Sequence, residues 1–148
     1  MIKIHGRDFE QNTVIAVGKF AILWNIFEKN KCCNNCYPEK LIEISNRLEN
    51  SEAFQLFANA LTNRAVTFNI DSFEYVQHQL AMGNGLRSEH KELIRSFMNS
   101  GGTDNVAGGL LAMYRIRNNM FHGLKEWSDL DNQIDLFVSM NEVLEEIL

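Results

Sequence analysis

Apolar side chains recur along this chain at the three-and-four spacing of amphipathic helices, not at the alternation of strands. Over residues 9–29, Phe9, Ala16, Phe20, Leu23 and Phe27 share one face, while Ile15, Ile22 and Ile26 form a second strip about 120° away. A helix with two apolar strips is either central in its own bundle or half buried against another subunit. A small bundle has little room for a central helix, so the pattern favours a homodimer. A second helix is expected over 38–49, opened by Pro38 in its first turn, with Leu41, Ile42, Ile44 and Leu48 inward. Ser51 is placed to cap a third over 52–63, with Phe54, Leu56, Phe57, Ala60 and Leu61 inward.

Residues 1–8 read as a frayed start and 64–70 as an extended linker. Asp71 and Glu74 match a capping box, which opens a helix over 72–82 that Gly83-Asn84-Gly85 ends. A helix over 86–99 follows, then a loop at 100–103. Asp104 is placed to cap a helix over 105–122 that Gly123 ends. Ser128 would cap the last, over 129–148, with Leu130, Ile134, Phe137, Leu144 and Leu148 inward. The expectation is one all-α domain spanning 1–148, an up-and-down bundle of about five to seven helices.

Composition agrees. Of 148 residues, 45% are hydrophobic and a single proline interrupts them, which suits a helical core. The most apolar stretch, 14–27, is cut by Gly18, Lys19 and Asn25, so no membrane span is expected. The start lacks a signal peptide's apolar core. Three cysteines within five positions (Cys32, Cys33, Cys36) make no disulfide framework, so a reduced loop in a cytoplasmic protein is expected. Their one Cys-x-x-Cys spacing lacks the second pair of a structural zinc site, so no metal and no cofactor are expected.

A net charge of −5 argues against a protein that coats nucleic acid nonspecifically. The charge is uneven: residues 86–125 carry six Lys/Arg and three Asp/Glu, whereas 126–148 carry seven acids and no base. The net-basic segment holds the chemically informative residues. On a helical wheel over 110–122, Arg117 falls at about 340°, inside an apolar arc of Leu110, Met113, Tyr114, Met120 and Phe121. A guanidinium aimed there must find a carboxylate, snorkel, or face a wet cleft. His122 would stand in the last turn, where the helix dipole favours the imidazolium, as suits a general acid or base. Arg115 lies at about 140°, nearly eclipsed with His122 at about 120°. Arg87, Lys91 and Arg95 line one helix face among Glu89 and Glu92. That face is either a salt-bridged surface or an RNA track. No phosphate-cradling glycine loop, Gly-x-Ser-x-Gly or His-Glu-x-x-His is present.

Arg117-Asn118-Asn119-Met120-Phe121-His122-Gly123, on the penultimate long helix, resembles the Arg-polar-x-x-x-His signature of HEPN domains. The resemblance covers this motif and the coarse order of helices. It implies a metal-independent endoribonuclease acting as a homodimer, with two motif helices forming one composite site. There the ribose 2′-hydroxyl of an RNA substrate attacks the adjacent phosphate. His122 would move the proton, Arg117 would hold the phosphate, and Asn118 would orient the histidine or a phosphate oxygen. Arg115 would be a further phosphate contact. The class also implies microbial defence or a toxin–antitoxin setting, with an antitoxin or nucleotidyltransferase as partner. Leu124 stands where some members carry the tyrosine that such a transferase modifies, which counts against that partner. The alternatives left open are a non-catalytic HEPN-like domain binding RNA or a nucleotide, and a dimeric helical interaction module.

Overall fold

The computed structural model describes residues 1–67, 87–121 and 127–148. The helix expected over 72–82 with its Asp71–Glu74 box, the break at 83–85, and Leu86, His122, Gly123 and Leu124 lie outside these residues. Within them the chain is mainly helical, as expected. The helices are α1 (Gln11–Lys31), α2 (Pro38–Ser45), α3 (Glu52–Thr67), α4 (Ser88–Asn99), α5 (Val106–Phe121) and α6 (Ile134–Ile147), with a 3-10 helix over Trp127–Gln133 before α6.

The opening residues are not frayed. Ile2–Ile4 (β1) and Arg7–Phe9 (β2) pair antiparallel, with Lys3 opposite Asp8 and their charges 3.4 Å apart. His5 and Gly6 both take positive φ (49° and 77°), the conformation that a two-residue hairpin turn needs. The Glu10 N–H then donates to Asp131 Oδ1 at 3.1 Å, joining the start of α1 to the 3-10 helix.

Four boundaries differ from expectation. The helix from Glu52 runs on through Thr67, so 64–67 is helical and not an extended linker. Pro38 does open α2, but α2 ends at Ser45, short of residue 49. Asn105, with φ 53°, stands between Asp104 and α5, and among the described residues the Asp104 carboxylate accepts only the neighbouring Asn105 N–H. The final segment begins as a 3-10 helix and becomes α-helical only at Ile134. Ser51 does cap α3: its Oγ accepts the Phe54 N–H at 3.4 Å while donating to Glu146 Oε2 at 2.6 Å.

The packing surrounds α5. It lies against α4 and α2 and touches α3, while α6 packs against both α1 and α3. At the α4–α5 crossing, Gly108 sits so close to Leu93 and Phe97 that no Cβ would fit. The Gly108-Gly109 pair therefore serves core packing. Phe20 of α1 meets Phe137 of α6 edge-on, ring centroids 5.6 Å apart. Phe54 and Phe57 of α3 close on Phe97 of α4. Such rings carry much of the buried apolar area. Asn141 of α6, buried, donates to the Ala16 carbonyl of α1 at 3.0 Å. Leu56 and Leu148, expected inward, are exposed. The Phe20 face of α1 is buried, but its other strip is not: Ile15, Ile22 and Ile26 are 56%, 65% and 39% exposed.

Cys32 and Cys36 are joined by a disulfide, which corrects the expectation of a reduced loop. Positive φ at Cys33 (52°) and Asn34 (70°) turns the chain back on itself, bringing the two Cα atoms to 5.0 Å. Cys33 is a free, exposed thiol. No helix among the described residues is long and apolar enough to cross a membrane. Nor, among them, does any group of three or more His, Cys, Asp or Glu stand together as metal ligands.

Candidate functional site

The candidate site lies at the C-terminal end of α5 and is built from residues that answer to two different helices. From Val106 to Ile116 nearly every side chain of α5 is buried, because neighbours enclose the helix on several sides. Burial relaxes only near the end, where Arg117, Asn118 and Met120 become half exposed.

Arg117 has found a carboxylate. Its Nη2 stands 3.7 Å from Glu28 Oε2 of α1, with 31% of the arginine side chain and 23% of the glutamate exposed. Its Nη1 donates to Asn118 Oδ1 at 3.1 Å. The guanidinium is thus held from two sides, yet part of it stays open to solvent. Asn118, expected to orient the histidine or a phosphate oxygen, is here spending its carbonyl oxygen on the arginine. Asn119 is buried, at 2% exposure.

The wheel position of the two arginines is misleading about depth. Arg117, inside the apolar arc, is half exposed. Arg115, outside it, is 6% exposed. A wheel ranks the sides of one helix by their own residues, but α5 is walled by other helices on the side of Arg115 as well. Burial lowers the Arg115 pKa from its ordinary value, and Tyr114 acts in the opposite direction. Arg115 sits inside the bundle.

Glu28 has no place in the sequence reading of the site. The signal was present but faint: Glu28 is the single acidic residue of α1, directly after the buried Phe27. Its backbone is well anchored. The Glu28 carbonyl accepts the N–H of Cys32 at 3.2 Å and of Asn34 at 2.9 Å, so the disulfide loop caps the turn that presents the carboxylate.

The basic face of α4 is matched by acids. Arg87 lies 3.8 Å from Glu39 and 3.7 Å from Glu89, and Arg95 lies 3.5 Å from Glu92. Lys91, between them, is half buried. On the same helix His90 is buried, with Nε2 at 3.7 Å from Glu39. A face so paired offers phosphate a weaker field than its cation count suggests.

No family model, no curated protein and no solved structure matches the chain.

Proposed function

We propose that this chain is a metal-independent endoribonuclease of the HEPN type. The observation that carries the reading is Arg117: a partly open guanidinium, steadied by Asn118 and Glu28, five residues before His122 on the same motif. In the reaction His122 takes the proton of the ribose 2′-hydroxyl and the 2′-oxygen bonds to phosphorus. The bond from phosphorus to the 5′-oxygen breaks, and that oxygen takes the proton back from the His122 imidazolium and leaves as a hydroxyl beside a 2′,3′-cyclic phosphate. Arg117 balances the charge that builds on the phosphate oxygens. Action as a homodimer, in microbial defence or a toxin–antitoxin pair, belongs to the same proposal. The open Ile15–Ile22–Ile26 strip of α1 supports the dimer, because a contiguous apolar strip on a surface helix favours a covering partner.

Cleavage of single-stranded RNA in excess EDTA tests the reading. His122→Ala and Arg117→Ala should each lower the rate by about 10²–10⁴-fold with melting little changed. A second reading has its own support in the Arg117–Glu28 pair: a structural arginine that ties α5 to α1 in a non-catalytic module. That reading expects Arg117→Ala to strand the mostly buried Glu28 carboxylate and lower the melting temperature, while His122→Ala changes nothing.

A further inference from the structure

A cleft of about 370 Å³ opens where the ends of α1 and α6 meet α2, and neither Arg117 nor Glu28 lines it. Its apolar floor is formed by the half-buried Ile44, Leu48 and Ile147, with Phe27 fully buried beneath them. Its polar rim holds three cations, Lys31, Lys40 and Arg47, against one carboxylate, Glu43. Lys40, with 24% of its side chain exposed, pairs with Glu43 at 3.5 Å, so those two charges answer each other. Lys31 and Arg47, both exposed, have no carboxylate within ion-pair distance among the described residues. The surplus is therefore two positive charges over a hydrophobic seat.

That surplus selects among anions. A carboxylate or a phosphodiester carries one negative charge, whereas a phosphate monoester carries about −1.5 to −2 near neutral pH. Two cations balance the monoester. Arg47 brings a planar fork suited to two phosphate oxygens, and Lys31 brings a point charge. The apolar floor calls for a ring or hydrocarbon body on the same ligand. Asn30, also on the rim, offers an amide donor and acceptor of the kind that matches a base edge. The volume sits at the low end of the roughly 300–1,000 Å³ of small-molecule sites, which suits one nucleotide and not two.

We infer that the cleft binds a single nucleoside 5′-phosphate, its phosphate on Lys31 and Arg47 and its base over Ile44 and Leu48. The ligand is either a free mononucleotide or the 5′-phosphorylated terminal nucleotide of a strand. This site is separate from Arg117 and does not rest on the ribonuclease reading.

Equilibrium dialysis of the full chain with 5′-AMP tests the inference. Adenosine and inorganic phosphate should each compete at least about tenfold more weakly than 5′-AMP, since each holds half of the recognised chemistry. A Lys31→Ala/Arg47→Ala double variant should melt like the parent and bind about 10–100-fold more weakly, by loss of two charge-assisted contacts. Arg47→Lys should recover part of that loss. Arg117→Ala should bind 5′-AMP unchanged. A 5′-phosphorylated 2′-O-methyl trinucleotide, which resists cleavage by 2′-hydroxyl attack, separates the sources. Competition equal to 5′-AMP identifies a strand terminus, and much weaker competition identifies a free nucleotide. Absence of saturable binding, equal binding of inorganic phosphate alone, or loss of binding in Arg117→Ala but not in the double variant would each overturn the assignment. None of these measurements reads cleavage, so failure here and failure of the ribonuclease reading are told apart.

Discussion

Replacing Gly108 with alanine should destabilise the protein, although the same change in an open helix stabilises. Alanine is the better helix former by about 1 kcal/mol. At Gly108, however, an added Cβ would fall 2.6 Å from the carbonyl carbon of Leu93 and 2.8 Å from Phe97 Cβ, and closer still to the Leu93 oxygen. The obstacle is backbone, which cannot rotate aside as a side-chain tip can, so α4 must shift away from α5. Overpacking of this kind costs about 1–3 kcal/mol and sometimes more. With a rigid carbonyl in the way, the upper part of that range applies, and a net loss of about 2 kcal/mol remains after the helix gain. For a chain of this length that corresponds to a fall in Tm of roughly 6 °C. Gly18 supplies the control. Nothing lies within 4 Å of its Cβ position on the exposed side of α1, so Gly18→Ala should raise Tm by about 2–3 °C. Circular dichroism melts at sub-micromolar concentration read both. A Gly108→Ala variant that melts at or above the parent would refute the close α4–α5 crossing and the placement of α5 that depends on it.

The strip on α1 predicts that the parent sediments as a dimer at micromolar concentration and that Ile22→Glu, at the most exposed strip position, sediments as a monomer with its melt retained; a monomeric parent would remove the composite site. The cysteine loop predicts one thiol equivalent under native non-reducing conditions, from Cys33, and three after reduction and unfolding; three equivalents without reductant would show that Cys32 and Cys36 are not joined. Closing so short a loop restricts the unfolded chain only modestly, so Cys36→Ser should cost about 2 kcal/mol in a urea melt, and an unchanged midpoint would contradict the linkage.

The helices were legible where a local signal and a tertiary need coincide. Pro38 at the start of α2, Ser51 before α3 and the Phe20–Phe27 face of α1 each do in the fold what their spacing announces. Signals weaker than one helical turn were not legible. The hairpin over 2–9 has strands of three residues, too short for alternation to stand out, and its His-Gly turn is less distinctive than Asn-Gly. The β-branched residues in 64–67 suggested extended chain, and the helix from Glu52 overrides that weak preference. An odd cysteine count argued against a disulfide, although one pair and one free thiol satisfy it equally well. At the site, Arg117 was legible as a charged residue in need of a partner. Which residue would supply the carboxylate was not, because Glu28 lies 89 positions earlier and only the tertiary fold brings it near. The Lys31–Lys40–Arg47 cleft has the same origin: three cations on different turns that converge in space and form no linear motif.

The place of α6 between α1 and α3 sets a schedule for synthesis. Phe20 and its neighbours on α1 find their cover in Phe137 and Met140, residues translated more than a hundred positions later. At about 5–20 residues per second, the interval from the end of α1 to the end of α6 lasts roughly 6–23 s. For that time the apolar faces of α1 and α3 emerge without the helix that seals them, and the pin from Asn141 to the Ala16 carbonyl is among the last bonds made. The nascent chain is therefore a natural client for a ribosome-associated holdase. Slow codons between α3 and α6 would lengthen that exposure.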